Sequence, residues 1–193
     1  MADRLEDKPI TEIEVNSNTT TQLFKYLSFE YAFLSQDFSN SNVTIVEVGR
    51  WRGTMTRAMR HHWQKSTIFS IDDGRIARLS DGQFTKSMMD MQELGVVAIQ
   101  STSPPNWPWP KSWNYDLLVL DITIDYKEIR NNVRWWTHSA KRYADGSKGI
   151  ILASLPDTTA IRKVARETFL SEESWLDYKP IPFVDKWVIL QGR

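Results

Sequence analysis

The stretch TIVEVGRWRGTMT (Thr44–Thr56) decides how the rest of this chain is read. It opens on an apolar run, Ile45 to Val48, broken only by the carboxylate of Glu47. A short apolar run followed by turn residues reads as a buried strand. Gly49 and Gly53 follow, and beyond them Met55, Ala58, Met59 and His62 form the stripe of a helix that Thr54 can cap. Gly49 lets the chain turn sharply at the strand end. Gly53 lets backbone and helix come close to a ligand or to the strand. Taken alone, the two glycines fit a ligand-binding turn and a plain strand-to-helix turn equally well.

The same alternation continues on both sides. Leu23, Leu27, Tyr31 and Leu34 lie on one face of a helix over about 19–35, with Thr19 or Thr20 as its cap. STIFSID (Ser66–Asp72), VVAIQ (Val96–Gln100), YDLLVLD (Tyr115–Asp121) and GIILAS (Gly149–Ser154) read as further buried strands. Helical stripes lie between them: Phe84, Met88 and Met91; Ile129, Val133, Trp136 and Ala140; Ile161, Val164, Ala165 and Thr168 after Pro156 and Asp157. The end, YKPIPFVDKWVILQ (Tyr178–Gln191), reads as two strands around a turn near Val184–Lys186. Apolar strands alternating with amphipathic helices define an α/β fold. The expected architecture is a Rossmann-like, doubly wound, mostly parallel sheet of about seven strands with an antiparallel C-terminal strand. Its 193 residues fit a single domain, with 1–17 too polar to bury much surface and expected to be partly flexible. TSPPNWPWPKSWN (Thr102–Asn114), with four prolines, reads as a long irregular loop between the third and fourth strands.

Composition narrows the partners. Net charge is zero, so no basic field draws in nucleic acid or an anionic membrane. No run reaches the roughly 18 apolar residues of a membrane span. The polar, acidic N-terminus is not the pattern of a secretory signal. The absence of cysteine rules out disulfides and thiolate metal sites and fits a cytoplasmic location.

A ligand is suggested by Asp72, which ends the second strand 23 residues after Gly49. A carboxylate there can accept both hydroxyls of a ribose, or it is a solvated strand-end acid. The dinucleotide pattern G-x-G-x-x-G is not met, because residue 51 is tryptophan, and the phosphate loop G-x-x-x-x-G-K-[ST] is absent. A ligand without phosphates needs fewer bare amides and can use a carboxylate beside its positive groups.

VEVGRWRGTMT together with IFSIDD resembles motif I and the following acidic motif of class I S-adenosylmethionine-dependent methyltransferases. Met55 stands at the expected hydroxyl position and Thr56 just past it. YDLLVLDITIDYKEIRNNVRWW and GSKGIILAS are similar to the fourth strand, fourth helix and fifth strand of the group that methylates small hydroxylated molecules and sugars. The resemblance covers roughly residues 43–170. It implies that Glu47 and the Gly49–Gly53 loop hold the methionine end of the cofactor. It implies Asp72 at the ribose, Asp73 and Ser101 at the adenine, and Asp121 facing the transfer centre. Trp51 either lies against the cofactor or packs over the loop.

Where many such enzymes continue the fourth strand with DGDHSY, this chain has DITIDY, and after the fifth strand Ala153 and Ser154 replace the common HD. One aspartate is too few ligands for magnesium, so no catalytic metal is expected. Asp121, Asp125 and His138 are the candidate bases, while His61 and His62 read as a polar pair at a helix end. The reading is a metal-independent methyltransferase acting on a small molecule or sugar hydroxyl. A non-catalytic nucleoside-binding or S-adenosylmethionine-binding protein of the same fold is the alternative, and a nicotinamide-dependent reductase is a third. Trp107, Trp109 and Trp113 form either a lid or platform for a flat or sugar substrate, or a loop packed on its own protein or on a second subunit. A tryptophan-rich surface is one route to a homodimer.

Overall fold

The computed structural model describes residues 19–34, 43–50, 53–74, 81–122, 126–154, 178–182 and 187–192. Residues 1–17, Trp51, Asp125, the helix expected after Pro156 and the turn near Val184–Lys186 lie outside the described residues.

Seven strands form one sheet: β1 (Thr44–Val48), β2 (Thr67–Asp72), β3 (Val97–Gln100), β4 (Leu117–Leu120), β5 (Ile150–Ser154), β6 (Tyr178–Pro182) and β7 (Trp187–Gly192). Their order across the sheet is β3-β2-β1-β4-β5-β7-β6. The first five are parallel, and β7 runs antiparallel to both β5 and β6. The chain therefore winds outward from β1 in one direction and then from β4 in the other. The switch point falls at the end of β1, where crossovers leave a crevice outside the strand C-termini.

The two faces are built from alternate residues of the same strands. Ile45, Ile68, Leu117, Val119, Ile150 and Leu152 face α1 (Thr19–Glu30), α2 (Thr54–His62) and Met91 of α3 (Asp81–Glu93). Leu23, Leu27, Tyr31 and Leu34 are buried there as expected, but the helix is shorter than the expected 19–35: α1 ends at Glu30, and Leu34 closes a separate 3₁₀ turn, Ala32–Leu34. Val46, Val48, Phe69, Ile71, Leu118, Leu120, Ile151 and Ala153 face α4 (Tyr126–Trp136) and the proline–tryptophan loop. β1, β4 and β5 are buried along their whole length, which is why their sequences are apolar runs rather than alternating ones.

Local details depart from the sequence expectations for identifiable reasons. α4 ends at Trp136 and tightens into a 3₁₀ turn, Thr137–Ser139, so buried Ala140 lies past the helix. Thr54 is the first helical residue of α2 and not its cap. The cap position belongs to Gly53, in a left-handed conformation with φ 75° and no side-chain cap bond. The loop between β3 and β4 contains one 3₁₀ turn, Lys111–Trp113. It fills the place of a crossover helix. Trp113 stacks on Phe69 at 4.5 Å, Trp109 meets Trp136 edge-on at 4.8 Å, and Trp109 Nε1 donates to the Trp113 carbonyl at 3.0 Å. Ser103 Oγ accepts from Trp136 Nε1 at 3.0 Å and donates to Asn132 Oδ1 at 2.5 Å, pinning the loop to α4. Trp109 and Trp113 thus pack on their own protein. Among the described residues, no helix is long and apolar enough to cross a membrane.

Candidate functional site

Glu47 sits on β1 opposite Ser70 of β2, on the face covered by α2. It is fully buried. Thr56 Oγ1 and Ser70 Oγ both donate to Glu47 Oε2, each at 2.5 Å. Glu47 Oε1 is buried and has no partner among the described residues. Burial raises the carboxyl to about 7, against the two hydroxyl donors and the charge of Arg50, with Asp121 adding to the rise. A comparison within the molecule shows how unusual this is. Asp116, buried at the opposite edge of the sheet, accepts from Thr44 N at 2.6 Å and from Lys141 Nζ and Tyr143 Oη. Asp116 is well supplied with donors, whereas among the described residues one whole oxygen of Glu47 has none.

The glycines are fixed by the protein's own packing. Gly49 has φ +91°, and a Cβ there would lie 2.3 Å from the Asp121 carbonyl oxygen. Gly49 N donates to the Ile71 carbonyl, and Asp121 N donates to the Val48 carbonyl. The turn is therefore clamped between the ends of β2 and β4. At Gly53, with φ +75°, a Cβ would lie 2.7 Å from Met91 Cε. Gly53 serves the approach of α3.

Asp72 is half-buried at the end of β2, where Oδ1 accepts from Gly74 N at 2.7 Å and the carbonyl accepts from Ser101 N at 3.2 Å. Asp73 and Ser101 are half-buried beside it, and Ser101 Oγ donates to the Thr102 carbonyl at 3.0 Å. Asp121 follows β4 directly, half-buried and close enough to Glu47 to act on its charge. The structure thus brings Glu47, Gly49, Gly53, Asp72, Asp73, Ser101 and Asp121 to one edge of the sheet.

It does not bring His138 there. His138 is exposed, next to Ser139, whose carbonyl accepts from Tyr115 N at the entry to β4. Asp121 is six residues further along, about 20 Å at strand rise. α4 starts near the site and runs back along the sheet, so its far end is carried to the wrong edge. His138 is accordingly removed from the candidate bases.

Three residues at the site, Thr56, Ser70 and Arg50, are not among the candidate site residues read from the sequence. Thr56 takes the hydroxyl role one residue later than expected, because the left-handed Gly53 sets where α2 begins. Strand pairing brings Ser70 to Glu47, a relation that only the register reveals. Arg50 is 2% exposed; its Nη1 donates to the Ser70 carbonyl and its Nη2 to Met88 Sδ, each at 3.0 Å, and the guanidinium lies over the Phe84 ring. Its Nε is buried and has no partner among the described residues. Burial lowers its pKa, while Asp72 and Glu47 oppose that. Nothing in the sequence distinguishes it from a surface arginine. Among the described residues, no group of three His, Asp or Glu side chains is gathered that could hold a metal ion.

The sequence matches no family model and no curated protein. Solved structures do match, and several of them are named as methyltransferases. A candidate caffeoyl-CoA O-methyltransferase from Staphylococcus aureus superposes with a TM-score of 0.60 at 10% identity, covering 93% of this chain and 85% of that one. Cofactor-bound Rv0187 from MTB gives 0.58 at 16% identity, covering 99% and 93%. A ribosomal protein L11 methylase from Lactobacillus delbrueckii subsp. bulgaricus gives 0.52 at 12%, covering 97% and 90%. The fold is that of class I S-adenosylmethionine-dependent methyltransferases, as the motif resemblance implies. At these identities the likeness is one of fold, and the two neighbours whose names give a substrate differ in it, a small-molecule thioester and a ribosomal protein.

Proposed function

We propose that this chain is an S-adenosylmethionine-dependent methyltransferase that methylates a hydroxyl of a small molecule or sugar without a bound metal. The observation that carries the reading is Glu47: a buried acid with one oxygen that has no partner among the described residues, at the switch point of a methyltransferase fold. An ammonium is the partner that such an oxygen lacks, and the cofactor has one. In this reading Asp72 accepts the ribose hydroxyls, Asp73 and Ser101 border the adenine, and Gly49 and Gly53 shape the turn around the methionine end. Trp51, which lies outside the described residues, is a further candidate contact of the cofactor. When bound, the cofactor supplies an electrophilic methyl group. The protein's part is to hold donor and acceptor in line, which alone can supply much of the rate. Asp121 is the group placed to take the acceptor's proton, with Asp125 as the second candidate. A hard cation wants several oxygen ligands, and Asp121 alone does not supply them.

A second reading, a non-catalytic protein that binds the same nucleoside, is favoured by Arg50. Its buried cation already offsets part of the negative charge of Glu47 and Asp72 that a cationic ligand would use. Turnover to S-adenosylhomocysteine separates the two.

The first test is thermal unfolding with S-adenosylmethionine, S-adenosylhomocysteine and NAD in parallel. A ligand at about 100 times its Kd adds about 2.7 kcal/mol, a rise of roughly 5–10 °C for a chain of this size. A shift with the adenosyl ligands and none with NAD supports the reading. No shift with any of them reduces the glycine turn and Asp72 to architecture.

A further inference from the structure

Arg50 directly follows Gly49 in the turn, yet its side chain is withdrawn from water and only 2% exposed. A buried cation is costly unless it is paired and hydrogen-bonded, and this guanidinium is held on three sides. Nη1 donates to the Ser70 carbonyl and Nη2 to Met88 Sδ, each at 3.0 Å, and the Phe84 ring centre lies 5.4 Å from Cζ. Phe84 lies against Gly74, where a Cβ would come within 3.1 Å of the ring, and Gly74 N donates to Asp72 Oδ1 at 2.7 Å. A guanidinium so enclosed cannot swing out into water. Arginine keeps its proton at neutral pH, so the cation is a permanent part of the site.

It stands between two acids. Ser70, whose carbonyl Nη1 reaches, is opposite Glu47 in the strand register and donates its hydroxyl to Glu47. Asp72 lies two residues further along the same strand. Arg50 acts on the charge of both acids. In the methyltransferase reading Glu47 meets the ligand's ammonium and Asp72 its ribose, and the ligand's sulfur lies between those two groups in its covalent chain. A cation that acts on both acids therefore acts on the sulfur as well. S-adenosylmethionine and S-adenosylhomocysteine share the ammonium, carboxylate, ribose and adenine; they differ by one methyl group and by one positive charge, on sulfur. Repulsion between like charges is strongest where water is excluded. Asp73 and Asp121 pull in the opposite sense, but both are half-buried, so water screens them more than it screens Arg50.

We infer that Arg50 sets the charge preference of the site, so that the chain holds the neutral thioether S-adenosylhomocysteine more tightly than the sulfonium S-adenosylmethionine. This rests on the methyltransferase reading above and adds to it a residue that selects between the two adenosyl ligands. Arg50 does so without touching the reacting atoms, through a fixed charge that Ser70, Met88 and Phe84 keep in place. As an enzyme, such a chain is restrained by its own product. As a binding protein, it responds to the demethylated ligand.

The test is calorimetric titration of the whole chain with each ligand at one pH and one salt concentration, so that binding is read and not turnover. The wild type is expected to bind S-adenosylhomocysteine more tightly by about fivefold or more. Arg50→Met keeps a long side chain without the charge and is expected to lower that ratio by about threefold or more. Arg50→Lys keeps the charge and is expected to hold the ratio within about twofold of the wild type. A merely structural role for Arg50 would weaken both ligands alike and leave the ratio unmoved. If Arg50→Met does not fold, the wild type and Arg50→Lys still decide. The inference is overturned if the wild type binds the two ligands equally or prefers the sulfonium, if Arg50→Met keeps the wild-type ratio, or if Arg50→Lys loses it. If neither ligand binds the wild type, the methyltransferase reading fails and this inference with it.

Discussion

Glu47→Gln is the sharpest perturbation available, because it makes the burial of a charge visible as stability. The carboxyl has an ordinary value of 4.5 and is raised to about 7 in the fold. An acid whose folded value is raised binds its proton more tightly in the native state than in the unfolded chain. Below the unfolded value both states are protonated and nothing is lost. As pH rises from about 4.5 to about 7 the native state is penalised progressively, and above that the penalty is constant. At about 1.4 kcal/mol per pH unit, the interval amounts to about 3 kcal/mol, or roughly 6–12 °C in melting temperature for a chain of this length. Glutamine is of similar size, accepts from Thr56 and Ser70 through its carbonyl, and does not titrate. Any fixed cost of its amide nitrogen in the unpartnered position is independent of pH and cancels in the slope. The assay is denaturant unfolding of the ligand-free wild type and variant at half-unit steps from pH 4.5 to 8. The variant should gain on the wild type by about 3 kcal/mol across that range, nearly all of it below pH 7.5. A difference that stays within about 1 kcal/mol would show that Glu47 is ionised in the native state at little cost, and the argument that it awaits a cationic partner would lose its basis.

Asp72→Asn keeps the bond to Gly74 N but removes the charge, so S-adenosylhomocysteine should bind at least tenfold more weakly by calorimetry while melting temperature is maintained; equal affinity would reassign the ribose acid. Gly49→Ala forces a Cβ to 2.3 Å from the Asp121 carbonyl at a positive φ. It should cost about 3 kcal/mol or more, or leave the protein insoluble, whereas Gly146→Ala, at φ +85° with nothing within 4 Å, should cost only about 1 kcal/mol. Trp109→Ala removes a ring packed on Phe69, Trp113 and Trp136. Urea unfolding should register a loss of about 3–5 kcal/mol, and unchanged S-adenosylhomocysteine affinity in the folded fraction would confirm that this ring is core and not platform.

The sheet was legible because its central strands are buried on both faces, and continuous apolar runs such as Leu117–Leu120 have few other readings. The buried stripe of α1 was legible for the same reason. Element ends were less so, since Gly53, and not a side chain, decides where α2 starts, and hydrogen bonding to Tyr115 draws Ser139 out of α4. Within the site, Glu47, Gly49, Asp72 and Asp121 stand out because strand ends followed by turns are visible in one dimension. Thr56 and Ser70 reach Glu47 through a helix phase and a strand register, and both are set by the rest of the fold. Arg50 follows a motif glycine but is buried by Phe84 and Met88, more than thirty residues away. His138 was misplaced because periodicity assigns a residue to a helix without saying which end of that helix meets the site.

The indole cluster that stands in for a helix between β3 and β4 gives the protein an optical signature of its own. Trp107 and Trp109 lie 5.5 Å apart, Trp109 and Trp113 5.3 Å, Trp109 and Trp136 4.8 Å, and Trp135 and Trp136 4.7 Å, in fixed and mostly crossed orientations. Transition dipoles that close couple, so excitation is shared along the chain of rings and circular dichroism acquires paired bands of opposite sign from the aromatics. Those bands overlap the helical signal and vanish when the rings separate. The loop that seals one side of the sheet can therefore be followed spectroscopically, without a label, while the helices are followed separately.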